Sequence, residues 1–149
     1  MAIKDTRGGR EYDKFLADSS GETGIRVITG AHETISATAT ASITSTATPG
    51  AAVLTAQDIT GKQRIGLQFQ QDHGSVTATF KVWASLVTSP GTPIANTLNW
   101  TQIGDDVTVT AAADNAYKAI ATTPMKWLFV TAHFASTATG NCTAYMMAD

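Results

Sequence analysis

Three histidines, His32, His73 and His133, and a single cysteine, Cys142, are the side chains best suited to acid–base, nucleophilic or metal chemistry in this 149-residue chain. A zinc centre needs three or four such ligands, usually as close pairs in sequence, and a catalytic histidine needs a partner within hydrogen-bond reach. These histidines stand singly, without H-E-x-x-H or C-x-x-C, and the lone thiol completes no metal set by any local pattern. His32-Glu33 and Asp72-His73 fall in apparent turns, and strand neighbours point to opposite faces, so neither pair is expected to act as a dyad. His133 precedes Phe134 inside an apparent strand, where a half-buried, hydrogen-bonded imidazole is the expectation. No serine lies in G-x-S-x-G, and no glycine-rich loop opens a helix. The chain is therefore expected to be no enzyme and to carry no cofactor or metal.

Asp105-Asp106 with Asp114-Asn115 offer oxygens of the kind calcium takes from adjacent loops. Asp and Asn are also ordinary turn residues, and that role is expected here. Asn99-Trp100-Thr101 and Asn141-Cys142-Thr143 match the glycosylation sequon, which has no bearing without a secretory signal. Cys142 excludes an internal disulfide and is expected to be a buried, inert thiol. Trp83 and Trp100 are candidates for a ligand or interface surface. Burial against a neighbour would fit a structural subunit, whereas a shared open groove would fit a sugar-binding module; packing in a core is the third role open to tryptophan.

Ten of the 22 charged residues lie in residues 1–26, leaving 12 for the remaining 123. A solvated surface usually carries about 25–35% charged residues, so this Thr-, Ala- and Ser-rich body is expected to have faces covered by other subunits. A net charge of −2 gives no attraction to phosphate backbones or anionic lipid, so neither nucleic acid nor membrane is an expected partner. The opening residues lack the apolar run of a signal peptide, and no stretch approaches the roughly 18 apolar residues of a membrane span. The chain is expected to be made and kept soluble.

The elements that would position these residues are strands. Residues 34–46 alternate, with Ile35, Ala37, Ala39, Ala41 and Ile43 on one face and Thr or Ser on the other. Such small apolar residues bury little, so an edge strand or a face covered by another chain is expected. After the Thr48-Pro49-Gly50 turn, residues 51–58 form a short apolar strand, and Ile65, Leu67 and Phe69 mark a half-buried one. Asp72-His73-Gly74 reads as a hairpin-like break. Val76, Ala78, Phe80, Val82, Ala84 and Leu86 then line the core, with Trp83 on the opposite face. The breaker cluster at 89–93 is a loop, and further strands are expected at 99–103, 107–111, 116–122, 126–134 and 141–147. Residues 126–134 are apolar on both faces and belong in the middle. The expectation is an all-β, antiparallel, jelly-roll-like β-sandwich over residues 27–149.

Residues 1–26 read as an extended docking arm. Gly8-Gly9 and Ser19-Ser20-Gly21 flank Tyr12, Phe15 and Leu16, which share one face of a helical turn and are too few to make a core. They are expected to dock on a neighbouring subunit; packing on their own sandwich is the alternative.

The run Glu11-Tyr12-Asp13-Lys14-Phe15-Leu16-Ala17-Asp18-Ser19-Ser20-Gly21-Glu22-Thr23-Gly24-Ile25-Arg26-Val27, about a tenth of the chain, resembles an N-terminal phrase of small structural proteins of tailed bacteriophages. Phe80 to Leu86, Asn99 to Ile103, Lys126 to Val130 and Thr139-Gly140-Asn141 are loosely similar to sandwich modules of the same particles. The resemblance implies a virion protein of the head (decoration), neck (connector) or tail, and it carries over no functional residue. The expected partners are further copies of the chain, with a trimer favoured, and other virion proteins. The alternative is a carbohydrate-binding module of a tail fibre or similar appendage.

Overall fold

Alternation of small apolar and hydroxyl side chains makes β1 (Ile35–Ile43) a strand with one half-buried face, and the same period-two logic recurs at Arg64–Gln71, Ala78–Ser85 and Gly140–Ala148. The computed structural model describes residues 34–44, 46–112, 114–121 and 125–149. β2 (Ala51–Asp58), β3 (Arg64–Gln71), β4 (Ala78–Ser85), β5 (Thr101–Gln102), β6 (Val107–Val109), β7 (Asn115–Ala121), β8 (Trp127–Phe134) and β9 (Gly140–Ala148) follow. One 3-10 turn, Thr97–Asn99, interrupts them. Residues 1–26, with Tyr12, Phe15 and Leu16, lie outside the described residues, as does His32.

Two antiparallel sheets result. The first has the order β1-β9-β3-β7; the second has the order β2-β8-β4, with β5 and β6 both pairing along the far edge of β4. Counted as one broken strand, β5 and β6 complete an eight-strand jelly roll in which most connections pass from one sheet to the other. The core lies between them. Ile43, Ile65, Leu67, Phe69, Cys142 and Met146 come from the first sheet and meet Leu54, Phe80, Val82, Leu128, Val130 and Phe134 from the second, all buried. The rings of Phe69 and Phe80 meet with centroids 4.9 Å apart. Each such side chain contributes about 1.5–3 kcal/mol by leaving water.

β1 occupies an edge, as its small side chains imply. β8 is an inner strand buried on both faces, but its second face is covered by Trp100 rather than by another sheet. Three expectations are corrected. The break at Asp72-His73-Gly74 is no hairpin, because β3 and β4 belong to different sheets and present Phe69 and Phe80 to each other across the core. Leu86 is 68% exposed, because β4 ends at Ser85, whose hydroxyl accepts from Val87 N–H at 3.1 Å and turns the chain away. The strands expected at 99–103 and 107–111 shorten to β5 and β6, because Gly104 (φ 63°) and Asp105-Asp106 break the edge between them.

Candidate interaction surfaces

The outer face of the second sheet carries the tryptophans singled out above. Trp83 on β4 stands opposite Phe129 on β8. It is half-buried, and its Nε1 donates to Thr131 Oγ1 at 2.9 Å; that hydroxyl in turn donates to the carbonyl of Pro49 at 2.5 Å. This relay fastens the 46–50 turn against the sheet. Gly50, at φ 97°, completes the fastening, since a Cβ there would lie 2.4 Å from the carbonyl oxygen of Ala132. Trp100 is only 5% exposed and meets Phe129 edge-on, with centroids 5.6 Å apart. Trp83 and Trp100 thus share a face but present no shared open groove. The chain between β4 and β5 that delivers Trp100 also buries Pro90 and Pro93, while Leu98 stands 96% exposed.

Lys81 and Asp106 on this side are engaged with each other, whereas Nδ1 of His133 is buried without a hydrogen-bond partner among the described residues, in place of the hydrogen-bonded imidazole expected from the sequence. Lys81 Nζ donates to both oxygens of Asp106 at 2.6 and 2.7 Å, and Gln102 Nε2 donates to the same carboxylate at 2.7 Å. Burial opposes ionisation of Asp106, but these donors and the Lys81 charge outweigh it and hold the carboxyl below its usual range. Burial lowers the pKa of His133, and the nearby Lys81 charge adds to this while Asp106 opposes it, so the imidazole is neutral at pH 7. Lys118, on β7, gives two 2.6 Å hydrogen bonds to the carbonyls of Ile103 and Asp105.

The remaining sequence candidates hold structure together. Asp72 accepts from the backbone and side chain of Asn141, and His73 Nδ1 accepts from Val76 N–H at 3.1 Å, so the two side chains serve separate turns. Asp114 accepts from Thr110, and Asn115 accepts from Gln68 and Gln70. Among the described residues no three His, Cys, Asp or Glu side chains come together as a metal set. Cys142 is fully buried, and burial pushes its thiol pKa up to about 12.

The outer face of the first sheet is the surface that sequence reading missed. Tyr117, 71% exposed, has its hydroxyl 3.0 Å from where a Gly66 Cβ would be, and so uses the space that this glycine leaves. With Tyr145 and Met147 it lines an open depression of about 920 Å³. Gln68, Gln70 and Asn115 form an amide network beside it, to which Tyr145 adds a 3.1 Å bond to Gln70. Arg64 and Asp149 close one end through a forked pair at 2.6 and 3.2 Å. Aromatic rings and planar amides can bind a ligand here.

No protein-family model matches the sequence, and no curated protein does. Among solved structures the chain is similar to one from Bacillus endospore appendages, a family of disulfide-linked pili, with 15% identity and a TM-score of 0.40 over 80% of this chain and 90% of that one. A likeness at that level carries no functional argument, and the sole cysteine of this chain is buried.

Proposed function

We propose that this chain is a non-enzymatic structural subunit of a tailed-bacteriophage virion, joining neighbouring head, neck or tail subunits through its N-terminal arm and the faces and edges of its sandwich. The observation that carries this reading is a charge-poor body with an uncharged nine-residue edge strand and large apolar side chains left in solvent, Leu98, Leu86 and Met147 among them. The N-terminal phrase around Tyr12, Phe15 and Leu16 supports a virion in particular. Native mass spectrometry tests the reading: the full chain forms a homo-oligomer, a trimer on the sequence-based expectation, and both removal of residues 1–26 and the double change Tyr12→Ala, Phe15→Ala weaken it. A full chain that stays monomeric at high micromolar concentration overturns the proposal.

A second reading, a carbohydrate-binding module of a phage appendage, is favoured by the depression under Tyr117 rather than by the tryptophans, because rings set beside amides suit sugar stacking and hydroxyl recognition. Titration with a panel of bacterial surface oligosaccharides checks it. Binding that is lost in Tyr117→Ala would support the module; absence of binding by the intact chain removes it.

A further inference from the structure

Four strand edges close the two sheets, and three of them carry the devices by which proteins keep edges from pairing. β2 has two register shifts against β8. β5 and β6 are two and three residues long with Gly104 and two aspartates between them. β7 holds a charge, Lys118, turned onto the carbonyls of Ile103 and Asp105. β1 has none of these. Its nine residues contain no charge, proline, glycine or bulge, and they pair with β9 in unbroken register from Ile35↔Ala148 to Ile43↔Gly140.

The direction of its free hydrogen-bonding groups follows from the ladder. Arg64 and Asp149 exchange both backbone bonds at 3.1 Å, and Asn141 accepts from Asp72, so the backbone groups of Asn141, Thr143, Tyr145, Met147 and Asp149 turn toward β3. The intervening residues Gly140, Cys142, Ala144, Met146 and Ala148 turn toward β1 and pair with Ile43, Ala41, Ala39, Ala37 and Ile35. The N–H and C=O groups of Ser36, Thr38, Thr40 and Ser42 therefore point at an edge that no described residue pairs. Such a row is a template for another extended strand.

The sequence of β1 says which strand. Ile-Ser-Ala-Thr-Ala-Thr-Ala-Ser-Ile reads the same in both directions about Ala39. An antiparallel two-fold contact places each residue opposite one from a second copy, and a self-complementary patch is what such an isologous contact requires. Centred on Ala39, the register sets Ile35 against Ile43, Ser36 against Ser42, Ala37 against Ala41 and Thr38 against Thr40, with every core-facing residue on the core side. A slip of one residue reverses the faces. Hydroxyls on this face already pair within the chain, Thr40 Oγ1 lying 2.8 Å from Thr143 Oγ1. We propose that β1 is a self-recognition edge through which two copies of this chain join their first sheets into one continuous eight-stranded sheet about a two-fold axis at Ala39. The inference rests on the reading of the chain as an assembling subunit and adds to it an even-numbered contact that a lone trimer lacks.

The geometry sets the test. With Thr38 and Thr40 exchanging backbone bonds, Ala39 faces its own counterpart at a non-hydrogen-bonded site, where Cα atoms lie about 4.5 Å apart, inside the disulfide range of about 4.4–6.8 Å. The full chain is prepared in a Cys142→Ala background, because Cys142 lies opposite Ala41. Under mild oxidation Ala39→Cys gives a cross-linked dimer at least about tenfold faster than Ala37→Cys, whose counterpart faces Ala41 instead. Equal cross-linking of the two variants, or none from either while the full chain remains oligomeric, overturns the two-fold contact and leaves assembly through other surfaces standing. A monomeric full chain removes both. If the cysteine variants unfold, charge pairs on the outer face decide: Thr38→Lys with Thr40→Lys weakens dimerisation about tenfold, and Thr38→Lys with Thr40→Glu, which sets Lys against Glu across the axis, restores it. Failure of the second pair to rescue refutes the register.

Discussion

His133 joins the local charge balance to the stability of the whole chain. Its pKa in the folded protein is below 6.5, first through burial and then through Lys81. A base with a depressed folded pKa binds fewer protons folded than unfolded, so stability is full above the unfolded pKa and falls as pH drops through 6.5 toward the folded value. Asp58 and Asp106, also lowered, exert their effect only in the more acidic carboxylate range. Thermal unfolding followed from pH 7 to pH 5 should show a declining midpoint in the native chain and a flatter profile in His133→Gln. An unchanged slope in the variant would assign the pH dependence elsewhere. Among candidate residues, only the bond of Asp114 to Thr110 is local turn chemistry; Asp72 with Asn141 and Asp106 with Lys81 pair across 69 and 25 residues and were not foreseeable. Nor was the convergence of Gly66, Tyr117 and Tyr145, because it depends on three strands that meet only in the folded sheet.

Strands were legible where one face is buried and one is wet, as β1, β3 and β4 announce themselves by period two, and β8 was legible by its mostly apolar run on both faces. Which strand pairs with which was not legible, since Thr40 finds Thr143 across 103 residues and no local signal spans that distance. The breakers at 89–93 read as a loop and 99–103 as a strand, yet residues 86–100 form one connection that brings Trp100 onto Phe129 on the outer face of β8. Truncating a buried aromatic of this size costs about 3–5 kcal/mol. Trp100→Ala should therefore lower the unfolding midpoint sharply by calorimetry while leaving association per folded molecule intact. The opposite result, normal melting with lost association, would make Trp100 an interface anchor. The palindrome in β1 was present in the sequence, but it acquires meaning only once β1 is seen to be an edge.

For the whole molecule, charge is concentrated in residues 1–26 and scarce elsewhere. Burial of Phe15 or Tyr12 on a neighbour is worth about 1.5–3 kcal/mol each, so the double alanine change should cost several kcal/mol of association. Calorimetry of the same variant discriminates the two homes of the arm: an unchanged sandwich midpoint places the anchors on a neighbour, whereas a clear drop places them on their own core. The two contacts differ in kind, since side chains of the arm would fill a pocket and backbone groups of β1 would extend a sheet.

The position of β9 between β1 and β3 governs the order of events during synthesis. β1 leaves the ribosome before its ladder partner, which begins at Gly140. At about 5–20 residues per second, roughly a hundred intervening residues leave β1 without its intramolecular partner for on the order of 5–20 s. During that interval the edge that β9 later fills also lacks its partner, and the β1 of a second nascent chain on the same message offers it a matching sequence. Pairing of copies would then precede completion of either sandwich, and polysome spacing would influence how efficiently dimers form.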